Sequence, residues 1–94
     1  MKRTVRLSAA ALRDMSRLPD FLRLDSPRAA TRARTVLLAA LQSLEEFAER
    51  GRPTSGQDLR ELVIPFGSSA YVAQYRIVGS VVLVARIYHG REDR

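Results

Sequence analysis

The last third of the chain, residues 59–94, most limits the fold, because two turns divide it into apolar runs. The turns are marked by Gly67 and Gly79, each followed by serine. The run between them, 70–77, alternates apolar and polar residues, which is typical of a strand with one buried face. The run after them, 81–88, is β-branched almost throughout, as in a central strand. These patterns predict a three-stranded antiparallel meander.

The ends and faces of these strands follow from the same pattern. The first run begins at Leu59 and is expected to end at Ile64, because Pro65 follows and cannot donate to a sheet ladder. The buried face of the second strand is predicted to carry the residues that alternate as its drier side, namely Tyr71, Ala73, Tyr75 and Ile77.

Two helices and a short strand are predicted before the meander. Val5 and Leu7 alternate within 4–7 as a brief strand, and Ser8 then caps a helix that Pro19 kinks or splits near Leu18. The apolar stripe of that helix is Leu7, Ala11, Met15, Leu18 and Leu22, widened by Leu12 and Phe21.

The second predicted helix restarts at Ser26, a cap, with Pro27 at the first helical position, and it covers 28–49. Its apolar stripe is Ala30, Ala33, Leu37, Leu41, Leu44 and Phe47.

These elements predict an α+β fold in the order β-α-α-β-β-β. The segment 49–58 has lost its periodicity and contains two glycines and a proline, so it is interpreted as a loop into the sheet. A helix hairpin is expected to pack on one face of a small antiparallel sheet. Counting reversals of direction places the first strand antiparallel at either edge of the meander. Residues 1–94 are expected to form a single domain.

Composition favours an acidic macromolecular partner. The net charge is +6, and it is uneven along the chain, since residues 1–37 carry nine Lys or Arg against three Asp. The alternative is that this charge serves solubility alone. The chain has no cysteine, no secretory-type apolar leader and no apolar run that would span a bilayer. We therefore expect a cytoplasmic protein without a membrane association or a disulfide framework.

The candidate functional side chains are basic and lie in or near the meander. From Leu62 to Tyr88 the only charged residues are Arg76 and Arg86. With Arg60, His89 and Arg91 they have the chemistry to bind phosphate and move protons, as RNA cleavage requires. The alternative is structural: Arg86 would pair with Glu61 across strands, and His89 would merely end a strand. A single histidine and no cysteine predict no metal site.

The run from Leu59 to Asp93 resembles the C-terminal half of the ParE branch of the ParE/RelE toxin superfamily. The resemblance lies in the Leu-Arg-Glu-Leu start, a Tyr-Arg strand, an apolar last strand and the closing His-Gly-Arg. Residues 44–53 are similar to that family's junction between the second helix and the sheet, and residues 6–22 resemble its first strand and helix more loosely.

The resemblance implies a toxin of a type II toxin–antitoxin pair, in a family linked with plasmid stabilisation. ParE-like members act on DNA gyrase, whereas RelE-like members cleave mRNA in the ribosome. RelE-like toxins place an arginine directly after the tyrosine that opens the third strand, but here Val72 follows Tyr71, and Gly90 stands where they often have lysine. The expected function is therefore gyrase inhibition without catalysis, cofactor, metal or small-molecule substrate. The alternatives are a ribosome-dependent mRNA endonuclease and a basic binding module without toxicity.

Two surfaces follow from this expectation. The toxic surface is expected to include Arg60, His89, Gly90 and Arg91. For the antitoxin, the second helix carries Arg28, Arg32 and Arg34 near its positive end, against its own dipole. Either Asp20 and Asp25 or an acidic antitoxin segment would offset that repulsion.

Overall fold

A computed structural model describes residues 2–18, 26–54 and 58–90. The elements in these ranges are β1 (Thr4–Leu7), α1 (Ala9–Arg17), α2 (Pro27–Ser43), a 3-10 helix (Ala48–Arg50), β2 (Arg52–Pro53), β3 (Arg60–Phe66), β4 (Ser69–Val78) and β5 (Val81–His89). The predicted α+β class and element order are confirmed, with one short strand added.

The sheet has the order β1-β5-β4-β3-β2, with the predicted meander at its centre. The expectation of an antiparallel first strand was wrong, because β1 runs parallel to β5, with Thr4 opposite Val81 and Leu7 opposite Val84. The reason lies in the segment interpreted as a plain loop. It contains β2, which pairs antiparallel with β3 and so adds one reversal of chain direction before the meander.

Two glycines make the hairpins of the meander tight. Gly67 and Gly79 have φ of +60° and +58°, and each begins a two-residue loop with the serine that follows it. A positive φ at the first central position alone matches a type II′ turn, which suits the twist of the flanking strands. β3 does not end at Ile64 as predicted but continues through Pro65 to Phe66. Proline is tolerated there because β2 pairs only with the start of β3, so Pro65 lies on an edge.

Both predicted helix starts are confirmed. The Ser8 hydroxyl accepts from the Ala11 N–H at 3.0 Å, and the Ser26 hydroxyl accepts from the Ala29 N–H at 3.2 Å. The second helix is shorter than predicted, since α2 ends at Ser43. The chain then turns into the 3-10 helix, so Phe47 leaves the apolar stripe and is 61% exposed.

One core lies between the helices and one face of the sheet. α1 packs against β5 and β1, and α2 packs against β3. The predicted buried face of β4 is confirmed at Tyr71, Ala73 and Tyr75, with Ile77 packed at the margin. Leu12, expected to widen the stripe of α1, is instead exposed. Leu22 and Phe21 lie outside the described residues.

The Tyr75 hydroxyl joins the sheet to the segment that follows α2. It donates to the Ala48 carbonyl at 2.6 Å and accepts from the Gly51 N–H at 2.8 Å. Gly51 is required at this close approach, because a Cβ there would lie 2.5 Å from the same hydroxyl oxygen. Within the described ranges, no helix is both long enough and apolar enough to cross a bilayer.

We expect Tyr75→Phe to lower the free energy of unfolding by about 2–3 kcal/mol, because two buried backbone groups lose their partner. Urea denaturation followed by circular dichroism measures this. Tyr88→Phe is the control, since that ring is half-buried on the other face and water can replace hydroxyl partners there. Equal losses in the two variants would contradict the special role of Tyr75.

Candidate functional site

Beyond the end of β1, the N-terminal turn of α1 supplies the hydrogen-bond partners along the edge of β5. The last backbone hydrogen bond on this side runs from the Ser8 N–H to the Val84 carbonyl. The Ser8 hydroxyl then donates to the Ala85 carbonyl at 2.7 Å. A side chain thus replaces the missing strand partner, and α1 is held beside β5.

A β-bulge in β5 lies directly beside this contact. Tyr75 is opposite Val84, but its neighbour Gln74 is opposite Arg86, so Ala85 is an extra residue. A bulge re-aims the side chains next to it and bends its strand. Here it keeps Ile87 on the core face and Arg86 on the outer face, the face not covered by helices.

The Asp14 carboxylate of α1 receives donors from this bulged segment. Arg86 donates to it through Nε to Oδ2 at 2.9 Å and Nη2 to Oδ1 at 3.2 Å. The Ile87 N–H donates to Oδ2 at 2.8 Å, and Arg17 donates to Oδ1 at 3.1 Å. Asp14 is 2% exposed, so its charge is buried with its lone pairs well satisfied.

Burial and these hydrogen bonds act on the Asp14 carboxyl in opposite directions. Burial raises its pKa, but the hydrogen bonds from Arg86, the Ile87 N–H and Arg17 outweigh burial and hold the pKa below its usual range. Asp14 is therefore a carboxylate at neutral pH.

The expected partner of Arg86 was wrong. Glu61 instead accepts from the Gln74 side-chain amide at 3.0 Å, whereas Arg86 pairs with Asp14. Asp14 was missed as a site residue. It lies three residues after Ala11 and four before Leu18, on the buried stripe of α1, and a carboxylate at such a position was the available signal.

The two arginines of the meander share the outer face of the sheet. Arg76 is opposite Leu83 and exposed, whereas Arg86 is half-buried and its guanidinium lies 5.0 Å from the centre of the Tyr88 ring. The cross-strand register shows that both side chains lie on the same face, which alternation along each strand does not decide. Within the described ranges Arg76 is not among the donors to Asp14, so the two arginines are not part of one cluster.

His89 is a strand residue rather than part of a separate tail. It is opposite Tyr71, and the two rings meet edge to face with centroids 5.4 Å apart. Gly90 continues the pairing, since its N–H donates to the Ala70 carbonyl at 2.7 Å. His89 is the last residue of β5, as the structural alternative for it expected. Arg91 lies outside the described residues.

Arg60 has a structural contact at the opposite end of β3. Its Nη1 donates to the carbonyls of Gly51 at 2.7 Å and Glu49 at 3.1 Å. This ties the 3-10 helix segment to the sheet. The toxic-surface candidates Arg60 and His89 are thus at different ends of the meander.

The three arginines of α2 are all exposed. Arg28 and Arg32 line a groove of about 430 Å³ at the start of the helix, together with Pro27 and Thr31. Arg34 lies about 240° around the helix from Arg28, on another side. None of the three forms an ion pair within the described ranges. Asp20 and Asp25 fall outside those ranges.

Comparison with known proteins decides the family. Residues 5–94 match the family model described as the ParE toxin of the type II toxin–antitoxin system parDE. The chain belongs to the ParE toxin family. This confirms the resemblance seen in the sequence, and the match covers both helices and all of the sheet except Thr4.

The proteins similar to this chain carry both names of the superfamily. Toxin RelE1 of Caulobacter vibrioides is 52% identical over 91 residues, covering 97% of each chain. The structure of a chromosomal ParDE system from P. aeruginosa matches with a TM-score of 0.81 at 21% identity, covering 94% of this chain and 96% of that one. The RelBE2 complex from Mycobacterium tuberculosis matches with a TM-score of 0.65 at 24% identity, covering 95% and 99%. The two structures establish the fold.

In this ParE-family chain, we expect Asp14→Asn to lower the free energy of unfolding by about 2–3 kcal/mol at pH 7, because the charge-assisted hydrogen bonds are weakened. The folded pKa lies below the unfolded value of about 3.9, so the unfolded chain takes up the proton first as the pH falls. The stabilisation is therefore present above about pH 4 and is lost through the lowered pKa.

Urea denaturation of both proteins between pH 7 and pH 2.5 measures this difference, which should shrink below about pH 4. Glu46→Gln, at an exposed carboxylate, is the control and should cost under about 0.5 kcal/mol. A difference between wild type and Asp14→Asn that stays constant with pH would contradict the ion-pair account.

Proposed function

We propose that this chain is a toxin that inhibits DNA gyrase in the cytoplasm without covalent chemistry of its own, and that a cognate antitoxin neutralises it. Membership of the ParE toxin family supports the choice of gyrase. One observation supports the absence of catalysis: the basic groups that a nuclease would bring together lie apart.

The separation follows from register and face. His89 is opposite Tyr71, and Arg76 lies five residues further along β4, a distance of about 17 Å at strand spacing. His89 contacts the Tyr71 ring on the core side, whereas Arg76 and Arg86 lie on the outer face. Arg86 is further occupied by Asp14. General acid–base catalysis requires such groups within hydrogen-bond reach of one substrate, which this arrangement does not favour.

The alternative is a RelE-like, ribosome-dependent mRNA endonuclease. The specific observation in its favour is the name of the relative that is 52% identical, Toxin RelE1. A nuclease would rely on His89 for proton transfer, with Arg91, which lies outside the described residues, as the nearest basic residue in sequence.

The antitoxin is proposed to lie along the helices through an acidic and apolar segment that also reaches a sheet edge. The groove lined by Arg28 and Arg32 supplies positive charge without internal ion pairs among the described residues. Leu38 on α2 and Leu12 on α1 are exposed apolar side chains that such a segment would cover. Beyond its short pairing with β2, β3 is an edge available for strand addition.

Adding the purified, antitoxin-free chain to gyrase and supercoiled DNA should inhibit supercoiling and trap cleaved DNA. The same protein in a translating extract should leave mRNA intact at equal concentration. Agarose gels of the DNA and primer extension on the mRNA are the measurements. mRNA cuts positioned by codon, or no effect on gyrase, would overturn the proposal.

Two variants further distinguish gyrase inhibition from mRNA cleavage. His89→Gln keeps a polar side chain on the expected toxic surface but removes the proton-transferring imidazole, so gyrase inhibition should fall by less than about tenfold, whereas a nuclease using it would lose about 100-fold or more. Arg76→Gln in the same assay tests whether the outer face of the sheet contributes to gyrase inhibition. Thermal melting shows whether each variant is still folded.

Replacing Arg28 and Arg32 together by Glu should weaken antitoxin binding by about tenfold or more and flatten its dependence on salt, because two positive charges facing an acidic segment are reversed. Isothermal titration at several salt concentrations measures this. Arg6→Glu, at an exposed arginine on the outer face of the sheet, is the control and should have a smaller effect. Unchanged affinity and salt dependence in the double variant would rule out this surface.

A further inference from the structure

One cross-strand row on the outer face of the sheet carries two exposed arginines. Arg6 of β1 and Arg76 of β4 are each opposite Leu83 of β5, so the three side chains lie side by side. Their chain neighbours Val5 and Tyr75 contact the core on the other face. Two strand spacings separate the Cα atoms of the two arginines, a distance of about 10 Å. Both arginines are exposed, and the leucine between them is half-buried.

The charges of Arg6 and Arg76 are unpaired within the described ranges. Neither guanidinium forms an ion pair or a side-chain hydrogen bond with another described residue. Asp58 lines a cleft together with Arg76, but the two do not form an ion pair. Both guanidinium groups can therefore bind a partner without breaking a contact among these residues.

The neighbouring row on the same face carries charges that do not cancel those of the first row. Glu61 is opposite Arg52, which balances it. Arg86 of this row shares the buried Asp14 carboxylate with Arg17, so two arginines meet one acid. That excess of positive charge compensates the aspartate of the cleft, and the charges of the first row remain. The outer face is therefore basic along the first row.

Apolar side chains adjoin the two arginines toward the hairpin between β4 and β5. Val78 and Val81 are opposite each other in the next row on the same face, and Val78 is 57% exposed. Within the described part of the chain, this half of the outer face has no aromatic ring, because Tyr88 is opposite Val72, about 13 Å along β4 from Arg76. A nucleic acid base has no ring to stack on here, whereas a protein partner gains contact with the valines.

We propose that this row binds an acidic patch on the surface of the target protein, a patch with carboxylates about 10 Å apart on either side of apolar side chains. Arg6 and Arg76 form the ion pairs, and Leu83 and Val78 contact the apolar side chains. The helices cover the other face of the sheet, so a large partner reaches this row without displacing them. The inference rests on the proposed function, because the target is the gyrase named there.

The test measures binding of the fluorescently labelled full chain to purified gyrase without DNA, and to a DNA duplex alone. Binding to gyrase should weaken as the salt concentration rises, because ion pairs at a protein surface are screened. The duplex alone should bind at least about tenfold more weakly at the same salt concentration, because two unpaired arginines neutralise few phosphates. Equally tight binding to DNA alone, or no binding to gyrase without DNA, would overturn the assignment of this row to a protein partner.

Charge reversal tests the two arginines directly. Arg6→Glu and Arg76→Glu should each weaken gyrase binding by about three- to tenfold, because each places a negative charge against the acidic patch. Arg50→Glu is the matched control, since Arg50 is exposed on the 3-10 helix at the helical side and loses the same charge. It should change binding by less than about twofold. Thermal melting shows whether each variant is folded. An equal loss in the control, or unchanged binding in both row variants, would contradict the inference.

The supercoiling assay distinguishes this inference from the proposed function. The variant with both Arg6→Glu and Arg76→Glu should require at least about tenfold more protein than wild type for the same inhibition. Wild type that inhibits supercoiling, with equal inhibition by the double variant, would overturn the docking surface and leave the proposed function intact. Wild type that does not inhibit gyrase would overturn both.

Discussion

The buried Asp14 carboxylate is the interaction on which the relation between helix and sheet depends. β1 pairs with β5 only as far as Leu7, and beyond that point no described strand lies on that side of β5. The Asp14 carboxylate accepts hydrogen bonds from the Ile87 N–H and from Nε and Nη2 of Arg86. A side chain thus supplies the acceptor that a neighbouring strand would otherwise provide. Removing one member leaves a buried charge or donor without a partner, which costs far more than an exposed pair. The bulge that brings Arg86 to Asp14 is thus part of the same arrangement.

Much of the fold was predictable because it is set by local chemistry. Gly67 and Gly79 mark the hairpins, and the serines at 8 and 26 mark the helix starts. The direction of β1 was not predictable, because it depends on β2, two residues whose pairing is set by tertiary contact rather than by periodicity. The prediction that Phe47 belongs to the apolar stripe of the second helix failed for a related reason. Apolar spacing continues past Ser43, but the chain does not continue as a helix, so the spacing no longer describes one face.

The candidate site was less predictable than the fold, because sequence identifies residue types but not their neighbours. The sequence singled out the basic residues of the meander by type, and the structure assigns them to three environments. His89 packs on Tyr71, Arg86 is bound by Asp14, and Arg76 is exposed on the outer face toward the other end of β4. Strand alternation gives the face of each residue, but cross-strand register and the bulge decide which residues meet. Asp14 lies 72 residues from Arg86 in sequence, so no local pattern links them.

The distribution of exposed apolar side chains shows why a protein of this design is suited to a wrapping partner. Leu12, Leu38 and Phe47 are exposed on the helical side, while Val63 and Val78 are exposed on the sheet. A domain of 94 residues has too little interior to bury all of its apolar residues. A segment that binds only the folded state and covers these side chains stabilises that state by mass action. Because the exposed positions are on both sides of the molecule, an extended segment reaches more of them than a compact partner would. Among the described residues, Arg28 and Arg32 on one side and Arg76 on the other form no ion pair, so they would favour a segment that carries negative charge.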